Sequence, residues 1–180
     1  MLLAALISFL MMDGVSFEIT ISAFTVIGMG TIMVLIFRNH HPNIQRREGY
    51  LIVTIGWLLM AVTGMFPFLS TGSINSVYDA FFETMSGYTA TGSTIITDIE
   101  SLPAGILFWR SMMHWIGGMG IIVLAIAILP LLGIGGMQLF SAEAPGPGSD
   151  KLHPRITDTA KRLWFIYVAY TIAETLLLHL

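Results

Sequence analysis

The sequence predicts an all-α membrane protein: transmembrane helices with one short re-entrant helix that ends in a loop. Three observations predict it. The chain is 55% hydrophobic and only 11% charged over 180 residues, with a mean hydropathy of +0.80. A soluble domain carries about 25% charged residues. Long apolar stretches recur, roughly at 19–37, 50–69 and 104–132. Between the last two lies a short apolar segment, Val77 to Met85, which runs into Ser86-Gly87-Tyr88-Thr89-Ala90-Thr91-Gly92-Ser93-Thr94. Such a small-residue loop survives at membrane depth only if protein buries it or it lines a wet cavity.

The elements follow in order. Met1 to Met12 is apolar but shorter than the ~20 residues that a spanning helix needs. It lacks a basic n-region and a small-residue cleavage site, which argues against a secretory signal. It is either part of a longer helix or a helix at the interface. Ile19 to Phe37 carries no charge and reads as a span, with Gly28 and Gly30 allowing close helix contact. A polar loop from Arg38 to Glu48 follows, then a second span at 50–69 whose end Pro67 marks. Thr71 to Ser76 is a run of turn formers. The short helix comes next, and Asp98 to Pro103 makes a second turn. Ala104 opens the third long stretch, which contains Arg110 and His114 near its start and Pro130 near its end. Ser141 to Asp150 is a Pro/Gly linker by composition, Thr157 and Asp158 are candidate caps, and Leu163 to Leu180 begins another helix. No polar tail follows Leu180, so the chain is expected to be a fragment of something longer.

Charge placement gives the topology. Seven of the eight Lys and Arg residues fall in two loops: Arg38, Arg46 and Arg47 in the first, Lys151, Arg155, Lys161 and Arg162 in the second. The positive-inside rule makes both loops cytoplasmic. Asp13, Glu18, Asp98 and Glu100 then face outward. Two crossings separate the basic loops, so 77–93 must enter and leave on the outer side. The division that results is 1–45 for N-terminal helices, 46–141 for two spans with the re-entrant loop between them, 142–162 for a cytoplasmic linker, and 163–180 for a further helix. The chain is expected in the lipid bilayer of the cytoplasmic (inner) membrane as a multi-pass protein.

The loop has the chemistry of a cation filter. A potassium-sized ion must shed water in a narrow pore, and backbone carbonyls can replace it. Gly92 supplies positive φ at no steric cost. Ala90, Thr91 and Ser93 place further carbonyls on either side. The short helix points its C-terminal end, about half a negative charge, at the ion. Asp98 and Glu100 concentrate cations near the mouth. The fold is then the helix–pore loop–helix unit of a potassium-channel-like protein. Glu83 and Arg110 are both charged near membrane depth, and such charges usually need a partner. We expect them to pair and brace the short helix; the alternative is that Arg110 snorkels to water.

Asp79-Ala-Phe-Phe-Glu-Thr-Met-Ser-Gly-Tyr-Thr-Ala-Thr-Gly-Ser-Thr resembles the first pore loop of TrkH-type subunits in the Trk/Ktr/HKT potassium transporter superfamily. Trp115-Ile-Gly-Gly-Met-Gly-Ile-Ile-Val-Leu-Ala, the 128–140 stretch, Ala142-Glu-Ala-Pro-Gly-Pro and Lys151 to Lys161 add to the resemblance. It runs from about Arg47 through Tyr170, while the first 45 residues match mainly in character, as the two-helix region that precedes the first pore unit. The resemblance implies four helix–loop–helix units around one pore, of which this chain holds the first and the start of the second. It maps the filter carbonyls onto Ala90 and Thr91, with Gly92 and Ser93 alongside. Ala90 stands where relatives often have Thr, which removes a hydroxyl and keeps the carbonyl. The resemblance also implies the remaining pore units of a longer polypeptide, a homodimer and a cytosolic nucleotide-binding regulatory subunit as partners. The family's intramembrane gating loop belongs to the third unit, outside this chain.

Other chemistry has weak footing. There are no cysteines, which excludes disulfides and thiol catalysis. The net charge of −3 says nothing about nucleic acid, and no nucleic-acid partner is expected. Potassium is the expected substrate ion; no other metal and no organic cofactor is expected. Gly117-Gly118-Met119-Gly120 has no preceding strand, so it reads as helix packing rather than a phosphate loop. Two other classes stay open. A non-conducting scaffold would tolerate changes at 90–93. An intramembrane enzyme would draw on Ser86, His114 and Glu83, and a nucleophile needs a base within hydrogen-bond reach. No catalytic residue is assigned.

Overall fold

The computed structural model describes residues 1–38, 46–131 and 156–179. All secondary structure among them is helical: α1 (Leu2–Met11), α2 (Ser16–Phe37), α3 (Arg46–Gly64), α4 (Phe66–Ser70), α5 (Val77–Tyr88), α6 (Ala104–Leu131) and α7 (Ile156–His179). Two stretches among the described residues, Ser16–Phe37 and Val53–Ser70, are long and apolar enough to cross a membrane. Half of α2's 22 residues are exposed large apolar side chains, such as Phe24 and Val34. A helix that is hydrophobic all round belongs in lipid or in a large core. Its 22 residues reach about 33 Å, enough for a ~30 Å hydrocarbon layer.

The chain divides into two compact units, Met1–Gly117 and Gly118–Leu180. In the first, α1 and α2 form a hairpin closed at Asp13. Met12 takes the left-handed conformation (φ 53°), which ends α1. Ser8 Oγ donates to one Asp13 oxygen, as does the Val15 amide at 3.2 Å. The second Asp13 oxygen accepts from the Gly105 amide at 2.8 Å, so the hairpin corner caps the first turn of α6. The α2 helix meets α4 through Ser22 and Ser70, whose hydroxyls lie 2.8 Å apart. Ile19, Phe68, Ile106 and Met113 fill the core among these helices. In the second unit, Tyr167 of α7 lies against Gly118 of α6.

The structure shifts two expectations. Pro67 does not end the second span: it sits in the first turn of α4, where a missing N–H costs least, and the chain continues helically to Ser70. Met65 is the break between α3 and α4. Thr157 and Asp158 lie inside the first turn of α7 instead of ahead of it. The expected linker at 142–155 and the loop at 39–45 lie outside the described residues.

Candidate pore loop

The short helix α5 has 12 residues, roughly 18 Å, well under a bilayer's thickness. Ser76 caps it by accepting from the Asp79 amide at 3.4 Å. Its buried residues include Ala80, Glu83, Thr84, Gly87 and Tyr88, an i, i+3, i+4, i+7, i+8 stripe that defines one helical face. Two of the five are polar, and both have partners. Thr84 Oγ1 donates to the Ala61 carbonyl of α3 at 3.0 Å. Such interhelical bonds contribute about 0.6–2 kcal/mol in lipid.

On the α6 side, contact is backbone to backbone. A Cβ on Gly117 would sit 2.0 Å from the Tyr88 carbonyl oxygen, so only glycine fits there. The packing expected of this glycine run is found at Gly117, and its partner is the last turn of α5. Trp109, also on α6, donates its indole N–H to the Gly64 carbonyl at 3.0 Å. Thus α3, α5 and α6 are joined by directional bonds as well as by apolar contact.

Glu83 is 1% exposed and is the hub of the site. Arg110 Nε donates to Glu83 Oε1 at 2.7 Å. Thr94 Oγ1 bonds the same carboxylate, at 2.9 Å to Oε2, and the Ile95 amide donates to Oε2 at 3.2 Å. One carboxylate therefore joins α5, α6 and the segment that leaves the loop. Thr94 and Ile95 had no signal in the sequence beyond their place just after the glycine.

The loop begins at a Schellman turn. The Ala90 amide donates to the Gly87 carbonyl and the Thr91 amide to the Ser86 carbonyl, each at 3.0 Å. The left-handed residue of this turn is Ala90 (φ 54°), a place glycine usually takes. Gly92 also has positive φ, 77°. Residues 89 to 95 are exposed in this chain, and nothing lies within 4 Å of where a Gly92 Cβ would be. Among the described residues no group donates to the carbonyls of Ala90, Thr91 or Gly92. The Ser93 carbonyl differs, accepting from Ser86 Oγ at 2.5 Å.

The residues weighed for catalysis are otherwise engaged. The Ser86 hydroxyl is bound to Ser93, and His114 Nδ1 donates to the Arg110 carbonyl at 3.0 Å. No group of three His, Asp or Glu side chains that could hold a metal ion occurs among the described residues.

These features define an α-helical membrane protein whose short helix α5 presents an exposed, glycine-bearing loop. Residues 15–180 match the TrkH family, described as a cation transport protein. The chain belongs to the TrkH family. It is 47% identical over 180 residues to the Trk system potassium uptake protein TrkH of Salmonella typhimurium, covering 99% of this chain and 37% of that protein. The Escherichia coli TrkH is 46% identical over 180 residues, with the same coverage. The Escherichia coli TrkG is 46% identical over 133 residues, 73% of this chain and 27% of that protein. The chain thus spans 37% of the length of the TrkH relatives, which are named as uptake proteins and not as enzymes.

Proposed function

We propose that this chain supplies one helix–pore loop–helix unit of a potassium uptake pathway. The unit comprises residues 46–141 and is preceded by the helices of 1–45. It is followed by a cytoplasmic linker (142–162) and the first helix of the next unit (163–180). In this reading α5 enters from the outer side and returns as the loop. The carbonyls of Ala90 and Thr91, with Gly92 and Ser93 alongside, take the place of water around the ion. The observation that carries the reading is the end of α5. A helix too short to cross stops at a left-handed turn, and the next three carbonyls have no donor among the described residues. Exposure of the loop suits a quarter of a shared filter, whose remaining surface comes from other units of the same polypeptide.

The proposal extends to the assembly. In this reading the protein sits in the cytoplasmic membrane as a multi-pass chain, works as a homodimer and binds a cytosolic nucleotide-binding regulatory subunit; the relatives' names, Trk system potassium uptake proteins, support the potassium uptake alone. The test is a chimera in which residues 1–180 replace the matching segment of Escherichia coli TrkH, expressed in a potassium-requiring strain. Gly92→Val is expected to abolish uptake or its ion discrimination while protein in the membrane stays constant. Unchanged uptake and discrimination would favour a scaffold and overturn the reading.

A further inference from the structure

Within the loop, Ser86 holds both limbs around Gly92. Its backbone carbonyl accepts from the Thr91 amide at 3.0 Å, and its side-chain hydroxyl donates to the Ser93 carbonyl at 2.5 Å. Thr91 and Ser93 flank the glycine. Ser86 itself is 6% exposed, fixed in the wall of the helix bundle. The residues it holds are exposed and make few other contacts. One buried residue therefore locates an otherwise loosely held segment.

The neighbouring hydrogen bonds continue the same register. Three residues earlier on α5, Glu83 takes Thr94 and Ile95, the next residues of the returning segment. A step of three residues on a helix rises about 4.5 Å, close to the spacing of one or two residues of extended chain. The returning segment is thus fastened along α5 at two successive points, and the Ser86 bond is the one nearest the free carbonyls.

We infer that Ser86 is a positioning residue for ion discrimination: its hydroxyl holds the Ser93 carbonyl and so fixes the Ala90–Gly92 carbonyls that precede it. The inference rests on the filter reading above. A rigid ring of carbonyls separates ions of different radius only while its oxygens keep their places. Without the Ser86 hydroxyl, the backbone clamp on Thr91 persists but the second limb is released. The pore remains, with looser spacing.

The chimera described above tests this, read out as uptake of potassium, rubidium and sodium. Ser86→Ala is expected to keep potassium uptake and to lower potassium-over-sodium discrimination by about 3- to 10-fold, the scale of one lost hydrogen bond. Ser86→Thr, which keeps the hydroxyl, is expected to restore it. Unchanged discrimination in Ser86→Ala overturns the inference. So does loss of the protein from the membrane in both Ser86→Ala and Ser86→Cys, since a loop-positioning role leaves the helices standing. A Gly92→Val chimera with normal discrimination instead removes the filter reading itself, whatever the Ser86 variants do.

Discussion

Arg110 Nε lies 2.7 Å from Glu83 Oε1, and this is the bond through which α6 reaches the segment leaving the loop. Glu83 is almost fully buried and Arg110 is 17% exposed. The carboxylate accepts from a guanidinium, a hydroxyl and an amide, so its charge is balanced and its lone pairs are used. The pair lies between the short helix and the long one, with the loop's returning segment fastened to the same group.

Removing one partner is expected to cost more than removing both. Arg110→Met leaves a buried carboxylate without its counter-charge, a loss of about 3–5 kcal/mol. Glu83→Gln is milder, because the amide oxygen still accepts and Arg110 can turn toward water. The double variant Glu83→Gln/Arg110→Met is expected to be more stable than Arg110→Met alone. Thermal melting of the detergent-solubilised chimera checks the order. Equal melting of Arg110→Met and the parent contradicts the pairing argument.

Gly117 makes a sterically sharper case. Its Cβ would stand 2.0 Å from a carbonyl oxygen, and backbone cannot swing aside as a side chain tip can. Gly117→Ala is expected to push α5 and α6 apart, with severe loss of folded protein in the membrane. Gly56→Ala is the control, because nothing lies within 4 Å of its Cβ position and a helix favours alanine by about 1 kcal/mol. Membrane abundance and melting temperature should separate the two variants clearly.

These cases show what the sequence carried and what it did not. The spans were legible because lipid demands long apolar runs, and α2 and α6 fall within a few residues of the expected bounds. The need of a buried charge for a partner led from Glu83 to Arg110, which meet at 2.7 Å. Glycine content announced close packing at Gly117 but not its partner, because the Tyr88 carbonyl is 29 residues away and only the fold brings it near. Serine and threonine bond to many things, so neither the Ser86–Ser93 bond nor the Thr94–Glu83 bond was legible. Pro67 was read as a stop because proline breaks helices, yet proline is also welcome in a first turn, and here that role prevailed.

Asp13 links pH to the helix hairpin. Its partial burial acts to raise the carboxyl's pKa, but hydrogen bonds from Ser8, Gly105 and Val15 outweigh this and hold it below its ordinary 3.8. A carboxyl depressed on folding adds stability above its unfolded value and loses it as pH falls through the folded one. The tie between the α1–α2 corner and α6 is therefore complete at neutral pH and fails only below about 3.8. Melting temperature should show no Asp13-dependent change between pH 5 and 8. Asp13→Ala should lower it at pH 7 by an amount equivalent to about 1–2 kcal/mol, and the gap from the parent should narrow at pH 3.

Ala90 offers the last test, because it holds a conformation that its side chain disfavours. Left-handed φ costs a non-glycine residue about 1–2 kcal/mol, and the Schellman turn ending α5 imposes it here. Ala90→Gly removes that cost and should raise the melting temperature slightly. Ala90→Val adds a branched Cβ at the same φ and should lower it. Neither variant touches the buried face of α5, so both should reach the membrane. If strain at this turn helps hold the loop in a single shape, Ala90→Gly will be the more stable protein and the less discriminating transporter. Sodium inhibition of potassium uptake, measured beside melting temperature, separates the two effects, and a glycine variant that improves both would show that the left-handed alanine contributes nothing to selection.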